Sequence, residues 1–503
     1  MNISELPPEM MDKIFAYLTF RERLQVSRTC KLCHELIFCP QFCKRLFLYL
    51  RSSKDLEKPY AREMLARCRN IMIMCSNYDD HQLRLLKDYM KGTSLKLLKV
   101  WAENHTAKRI LETILKAVPE LKNLHLVLLG KSDQCTDEII RITHQKLKRA
   151  VLIGHGNYEI ECSKLTVLRS DQVNEKMVRS IGCLQGQLQV LQLCGYRHSP
   201  HIGAVYNVLS HYHWDHLREL ELISSSTTDG LEKSLKQMPC LQKLSLHGNY
   251  QIFTGEEVGA ATCLSELTLR GYCIDTDSFN KFLTRSSLKR ISLLNCICCS
   301  LEVPLKSDSI KELTLEPMTM CQKLLPVFPS LEKLDLQGMD KTDCHHTLLQ
   351  ICEYYPKLER LTLCVVPGQI GTMRPTPDST NVTATNSFSL LNKLDKLKDL
   401  HLNRIDLTGI DWTICEGSNV NYIHLKGCSI DGTGAEKIVR TFKHLRTFYF
   451  DYCYLRQPRA DLFDIDKSST DGLHWLARYC KISYHDIHIE ELLELRIPNI
   501  LFL

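Results

Sequence analysis

A chain of 503 residues with 44% hydrophobic and 24% charged residues has the composition of an ordinary globular protein and not of a disordered or fibrous one. Its net charge of +6 is small for this length, so charge gives no reason to expect nucleic acid or an anionic membrane as a partner. The sequence shows no secretory signal and no run of about 18 apolar residues. We therefore expect a cytoplasmic or nuclear protein whose 24 cysteines are thiols.

The first predicted element is a short helix that begins at Pro7 and Pro8. Proline is tolerated at the start of a helix, where the backbone N–H has no partner in any case, and Glu9 in the first turn suits the positive end of the helix dipole. Apolar residues then recur at helical spacing in two adjacent rows. The rows consist of Met10, Ile14 and Leu18, and of Met11 and Phe15.

Residues 4 to 49 resemble an F-box. The matching positions are Leu6, Pro7, Glu9, Ile14, Phe15, Tyr17, Leu18, Cys30, Leu36, Pro40 and Leu46, whereas Cys33 and Cys43 replace tryptophans that are usual in the family. The resemblance implies a small all-helical F-box at residues 1–50. It also implies a Skp-type adaptor as partner and, through the adaptor, the cullin and RING subunit of an SCF-type E3 ubiquitin ligase. The residues it assigns to the adaptor surface or its immediate support are Leu6, Pro7, Glu9, Ile14, Phe15 and Leu18.

A physical argument also favours a partner for this segment. A module of about 45 residues without disulfide or metal buries too little surface to be secure alone, and its apolar rows exceed what three short helices hide. The alternative is a simple N-terminal cap on the array that follows. A cap does not require the L-P-P-E or I-F-x-Y-L pattern. Residues 51–67, which are charged and contain Pro59, are predicted to be a linker.

Leucine-rich repeats are predicted for residues 68–455. The segment Leu241–Asn249 fits L-x-x-L-x-L-x-x-N, in which Leu244 and Leu246 alternate as in a short strand and point to one face. Matches recur about every 25 residues. They begin at Leu95, Leu121, Leu147, Leu165, Leu188, Leu217, Leu241, Leu264, Leu288, Ile310, Leu331, Leu358, Leu397, Val420 and Leu445, with a further candidate at Cys68.

The predicted fold class is therefore α/β: the helical F-box is followed by a leucine-rich-repeat solenoid, a horseshoe with parallel strands inside and helices outside. Cys296, Cys428 and Cys453 follow the last strand position of their repeats by three residues, where a small inward side chain can satisfy buried backbone. This placement resembles the cysteine-containing class of repeat that is common in F-box proteins.

Two segments interrupt or end the repeat period. Residues 364–396 contain an insertion rich in proline, glycine, threonine and serine, which we interpret as either a binding loop or a tolerated bulge. Residues 456–503 are predicted to be a C-terminal cap on the last repeat, with the alternative that this tail folds against the concave face. The chain ends in the apolar run Ile500 to Leu503, an unattractive exposed tail.

Catalytic patterns are missing from the sequence. It has no phosphate-binding glycine loop, no GxSxG elbow and no set of paired cysteines and histidines at RING spacing. Zinc binding by Cys296, Cys298 and Cys299, or by the histidines around His211, is a weaker alternative to structural roles for these residues. We therefore expect a chain that is not an enzyme and has no metal or cofactor.

The favoured function is that of a substrate receptor of an SCF-type ligase, with the protein substrate on the concave strand face. The candidate substrate-binding residues are Lys243, Ser245, Arg270, Ser292, Glu316, Asp335, His401, Tyr422, His424 and Tyr449. The competing function is that of a repeat scaffold or inhibitor that does not act in ubiquitination. Neither nucleic acid nor membrane is an expected partner.

Overall fold

The computed structural model describes residues 6–16, 18, 25–37, 47–58, 61–74, 78–129, 138–193, 202–223, 230–298, 303–316, 325–339, 344–365, 387–451, 453–456 and 500–502. The chain forms two compact units. Unit 1 consists of Met1–Leu241 and Glu491–Leu503, and unit 2 of Gln242–Glu490. No helix within the described ranges is long and apolar enough to span a membrane.

Unit 1 contains two helices of the N-terminal module and a series of parallel strands joined by helices. The helices are α1 (Pro8–Ala16), α2 (Lys31–Ile37), α3 (Ala61–Arg67), α4 (Asp80–Met90), α5 (Asn104–Ile114), α6 (Glu175–Cys183), α7 (Ile202–His211) and α8 (Leu231–Leu235). The strands of its main sheet are β1 (Phe47–Leu50), β2 (Asn70–Met74), β3 (Leu97–Ala102), β4 (Asn123–Leu128), β6 (Arg149–Ile153), β8 (Val167–Ser170), β9 (Val190–Leu193) and β10 (Glu219–Ile223). Successive strands of this sheet pair in parallel.

A small parallel sheet takes the place of the helices in two successive repeats of unit 1. Strands β5 (Ile139–Thr143) and β7 (Asn157–Glu161) pair with each other and not with the main sheet. They pack against α5 and α6, so they occupy the helical layer. Buried and less buried residues alternate along both segments, a period of two that is typical of strands and not of helices.

Unit 2 repeats the same arrangement. Its strands are β11 (Lys243–Phe253), β12 (Glu266–Ile274), β13 (Arg290–Leu294), β14 (Ile297–Cys298), β15 (Glu312–Leu315), β16 (Lys333–Met339), β17 (Arg360–Val365), β18 (Asp399–Asn403), β19 (Tyr422–Lys426), β20 (Ser429–Asp431), β21 (Thr447–Asp451) and β22 (Tyr454–Arg456). Its helices are α9 (Thr276–Arg285), α10 (Cys344–Tyr354) and α11 (Gly432–Thr441), with 3-10 helices at Glu256–Val258, Ser387–Lys393 and Trp412–Cys415. The nine strands β11, β12, β13, β15, β16, β17, β18, β19 and β21 pair in parallel in that order.

The repeat pattern predicted from sequence is confirmed strand by strand. Each of the fifteen predicted first positions lies two residues before a strand of the main sheets, and Cys68 stands in the same relation to β2. The leucines at the first, fourth and sixth positions are buried; in the unit at Leu95 they are Leu95, Leu98 and Val100, all with no exposed surface. Stacked copies thus share a continuous apolar core, and the predicted α/β repeat fold is confirmed.

The cysteine slot also behaves as predicted. The thiols of Cys296, Cys428 and Cys453 donate to the carbonyl oxygens of Leu269, Leu402 and Leu425, with Sγ–O distances of 3.3, 3.1 and 3.3 Å. Each acceptor is the last inward strand residue of the preceding repeat. The thiol therefore satisfies a buried carbonyl at the turn between repeats.

The strand series begins earlier than the predicted boundary at residue 68. Strand β1 pairs in parallel with β2, and between them lie a 3-10 helix at Ser53–Glu57 and α3. The predicted linker 51–67 is thus the connection of a strand–helix unit. Its consensus first position is occupied by Arg45, which is why the leucine pattern does not reveal it.

The end of the chain lies in a different place from the prediction. Strand β23 (Ile500–Phe502) pairs in parallel with β1, and Ile500 and Phe502 are in register with Phe47 and Tyr49. The last residues therefore extend the sheet of unit 1 and do not cap the last repeat. Residues 457–499 of the predicted cap and residues 366–386 of the predicted insertion lie outside the described residues.

Candidate protein-binding surfaces

The described part of the N-terminal module has three buried apolar residues. They are Met11, Phe15 and Cys33, which pack with the partly buried Leu6, Leu18 and Val26. Of the predicted adaptor-binding residues, Phe15 belongs to this interior, and Leu6 and Leu18 lie at its margin with part of their surface exposed. Their role in adaptor binding stays a prediction.

The outer side of α1 is apolar. Ile14 is 37% exposed and Met10 is 51% exposed, one turn apart on the helix. Leu32 on α2 is 40% exposed, and Pro7 before α1 is also exposed. Glu9 lies in the first turn of α1 as predicted. The structure therefore divides the two predicted apolar rows, because Met11 and Phe15 point inward while Met10 and Ile14 face solvent.

The outward side of the strands in unit 2, here called the polar strand face, carries all ten predicted substrate-binding residues. Its central row runs across neighbouring strands in register. That row consists of Ser245, Thr268, Ser292, Thr314, Asp335, Thr362, His401, His424 and Tyr449. Lys243 and Tyr422 lie in the row before it, and Arg270 and Glu316 in the row after it. A substrate-binding role for these residues stays a prediction.

Four predicted residues form one cluster of rings, here called the ring cluster: His401, Tyr422, His424 and Tyr449. His401 lies 5.2 Å from Tyr422 and 5.5 Å from His424 between ring centroids. Tyr449 lies 5.7 Å from Tyr422 and 6.1 Å from His424. These separations are those of interacting aromatic pairs. The cluster presents flat apolar surface with polar edges, which is the kind of surface that protein interfaces favour.

His401 is neutral at physiological pH. Burial is the main cause that lowers its pKa to about 4, and the charges of His424 and Arg360 act in the same direction. Its Nε2 atom is buried and has no hydrogen-bond partner among the described residues. The ring therefore offers an unused polar edge within the cluster.

This shifted pKa predicts a pH dependence of stability. Because folding lowers the pKa of His401 from its ordinary 6.5 to about 4, the unfolded chain binds more protons between these values. The contribution to stability is fully present above pH 6.5 and is lost as the pH falls towards 4. We expect the urea midpoint to fall between pH 7 and pH 5, and to fall less in His401→Phe, which keeps a ring but cannot titrate. An equal fall in both proteins would contradict this assignment. His247, whose pKa is also lowered to about 4, adds a dependence of the same sign in both.

The outward side of the strands in unit 1 carries many apolar residues among polar ones such as Lys99, His125 and Arg149, and the sequence pattern did not single these apolar residues out. Its residues include Phe47, Tyr49, Met72, Met74, Leu97, Trp101, Val127, Val151 and Ile153. Met74 and Ile153 are each 38% exposed. These outward apolar residues could have been predicted from the nearly continuous apolar runs NIMIM, LLKVWA and RAVLI, because such runs are typical of strands that are covered on both faces.

No group of three or more His, Cys, Asp or Glu side chains suited to a metal ion occurs within the described ranges. The two cysteines of the first C-x-x-C pair lie on the N-terminal module, where the Cys33 N–H donates to the Cys30 thiol at 3.4 Å. Cys296 is engaged with a backbone carbonyl, as described above. The surfaces outlined here are accordingly suited to binding proteins.

Comparison with known proteins gives one family match and several structural similarities. Residues 3–49 match the model of the F-box-like family. No curated protein matches the chain. A leucine-rich-repeat protein of Leptospira interrogans is similar in structure, at 16% identity over 87% of this chain and 99% of that one, with a TM-score of 0.32. An internalin of Listeria monocytogenes is similar at 15% identity over 57% of this chain and 80% of that one, with a TM-score of 0.30.

The repeat fold of this chain is established by its own strands, since every predicted repeat start precedes a strand of a parallel sheet. The N-terminal module contributes the second identifying feature, a family match that covers its helices and ends at β1. The chain thus combines an N-terminal segment that is similar to the F-box-like family with strands that form leucine-rich repeats.

Proposed function

We propose that this chain is the substrate-recognition subunit of an SCF-type E3 ubiquitin ligase. The N-terminal module binds a Skp-type adaptor and, through it, cullin and the RING subunit. The polar strand face binds the substrate protein, and the chain itself performs no catalytic step. The protein acts in the cytoplasm or the nucleus, where these partners are found.

The observation that carries the proposal is the outward apolar pair Met10 and Ile14 on a module of about 45 residues. A module of this length buries too little surface to be very stable by itself. An exposed apolar stripe on a family-matched F-box segment is explained if an adaptor covers it, because burial of each such side chain contributes about 1.5–3 kcal/mol. The same contact would stabilise the module.

A repeat scaffold that does not act in ubiquitination is the second candidate. The outward apolar residues of unit 1 favour this function, because they could bind a partner protein whether or not the chain belongs to a ligase. The two functions differ in a single requirement, which is capture of the adaptor by the N-terminal module.

Co-purification of the full chain with a Skp-type adaptor and cullin tests the proposal. We expect both to be retained at near-stoichiometric amounts, and we expect proteins bound by the chain to accumulate in cells that lack it. Failure to retain the adaptor, with repeats that remain folded by circular dichroism, would overturn the ligase function and favour the scaffold.

A further inference from the structure

One carboxylate on the polar strand face has no ionic partner. Along the face from Lys243 to Asp399, every charged side chain that the structure describes takes part in an ion pair except Asp335. The pairs are Lys243–Glu266 at 3.5 Å, Glu266–Arg290 at 3.0 Å, Arg290–Glu312, Glu312–Lys333 at 2.7 Å, Arg270–Glu316 at 3.9 Å and Arg360–Asp399 at 2.6 Å. The five bases and five carboxylates of the face balance in charge, and Asp335 is the one of them without an ion pair among the described residues.

The two bases closest to Asp335 along the strands are already engaged. Lys333, two residues before it on β16, donates to Glu312. Arg360 on β17 donates two hydrogen bonds to Asp399, at 2.9 and 2.6 Å. An ion pair between Asp335 and either base would require that base to leave its present carboxylate. Neither of the two is therefore a free basic partner for Asp335.

The carboxylate is also incompletely hydrogen-bonded. Its Oδ2 accepts from the Gln337 side chain at 3.2 Å, whereas its buried Oδ1 has no partner among the described residues. Burial raises the pKa of Asp335, because removal from water penalises the charged form. A cation close to this carboxylate would offset that penalty.

The ring cluster lies on the same central row. Asp335, Thr362 and His401 are successive members of that row, so Asp335 and the cluster are on the order of 10 Å apart at a strand spacing of about 4.8 Å. An extended segment advances about 3.3 Å per residue. Two side chains two residues apart lie on one face of such a segment, about 7 Å from each other, and the length of an arginine or lysine side chain lets the pair reach both features.

We propose that the partner segment bound by the polar strand face presents a basic side chain, arginine or lysine, to Asp335 and an apolar or aromatic side chain to the ring cluster. This inference rests on the proposed function for the identity of the partner as a substrate, but the chemistry it assigns belongs to the face itself. A partner with a carboxylate or phosphate at this point would meet Asp335 as a like charge.

Fluorescence anisotropy of a short dye-labelled peptide tests the inference. The peptide carries phenylalanine and, two residues later, arginine, so that both side chains lie on one face of the extended chain. Matched peptides carry citrulline or glutamate in place of the arginine. Against the full chain at low salt, we expect citrulline to weaken binding about tenfold, the typical worth of a charged hydrogen bond, and glutamate to weaken it further. Added salt should weaken only the arginine peptide appreciably.

Two variants locate the effect. Asp335→Asn keeps the shape of the side chain and should make the arginine and citrulline peptides bind equally. Glu266→Gln removes a charge that is already paired on the same face and is not a candidate substrate-binding residue, and should preserve most of the preference for arginine. Equal binding of arginine and citrulline by the unaltered chain, or a preference that survives Asp335→Asn, would overturn the inference.

The same proteins separate this inference from the proposed function. Asp335→Asn leaves the N-terminal module untouched, so retention of the Skp-type adaptor should equal that of the unaltered chain. Adaptor retention without arginine preference would reject the basic partner and leave the ligase proposal intact. Arginine preference without adaptor retention would support the binding site and reject the ligase.

Discussion

Replacing Met10 and Ile14 together by aspartate is expected to reduce adaptor capture by more than a hundredfold while the chain remains folded. Both side chains face solvent, so the change leaves the interior of Met11, Phe15 and Cys33 in place. In the complex, it removes two buried apolar groups worth about 1.5–3 kcal/mol each, and every 1.4 kcal/mol changes affinity about tenfold. Titration of immobilised adaptor with the two proteins measures the difference.

The matched control for this variant is Arg28→Asp. Arg28 is exposed in the same module and lies outside α1, so its reversal introduces the same charge away from the apolar pair. We expect it to alter capture by severalfold at most, since surface charge pairs contribute little. Equal capture by the double variant and this control would show that the adaptor, if bound, uses another surface.

The largest effect on stability is expected from Trp412→Ala in unit 2. Trp412 is 1% exposed, and its ring lies 5.4 Å from Phe388 and 6.2 Å from Phe442 between centroids. Truncation leaves a cavity between these rings, for which about 3–5 kcal/mol is typical. Urea unfolding, together with hydrogen exchange of the amides in unit 2, measures the loss.

Trp412→Phe separates packing from hydrogen bonding at this position. The indole Nε1 of Trp412 is buried without a partner among the described residues, so phenylalanine deletes an unsatisfied donor and keeps a ring. We expect it to lose less than half as much as alanine. Trp101→Ala, on the partly exposed strand face of unit 1, should cost less than Trp412→Ala. Similar losses for all three variants would contradict a packing role specific to Trp412.

The inward residues of this fold could be predicted from sequence because the repeat template reports burial directly. Leu95, Leu98 and Val100 occupy template positions, and all three are buried. The unit that contains β1 was not predicted, because Arg45 occupies the position of the first consensus leucine. The pairing of β23 with β1 was not predicted, because it joins residues about 450 positions apart. The local spacing of apolar residues gives no information about such a distant contact.

The template also predicted which strand residues face outward, but the pairing of their charges could not be predicted from the sequence. The template predicted that Asp335 and His401 face outward, but it gives no weight to the charges of neighbouring repeats. The structure shows that Lys333 is paired with Glu312 and Arg360 with Asp399, so neither base forms an ion pair with Asp335. The insertion after Val365 does not shift the register of the strands, because Thr362 still lies opposite His401.

The pairing of β1 with β23 has a consequence for biosynthesis. Strand β1 is synthesised about 450 residues before β23. At about 5–20 residues per second, roughly 20–90 s separate the two strands. During that time the edge of β1 that later receives β23 is an open template for pairing with another chain. A nascent or truncated chain that lacks β23 should therefore depend more on chaperones than a chain that contains it.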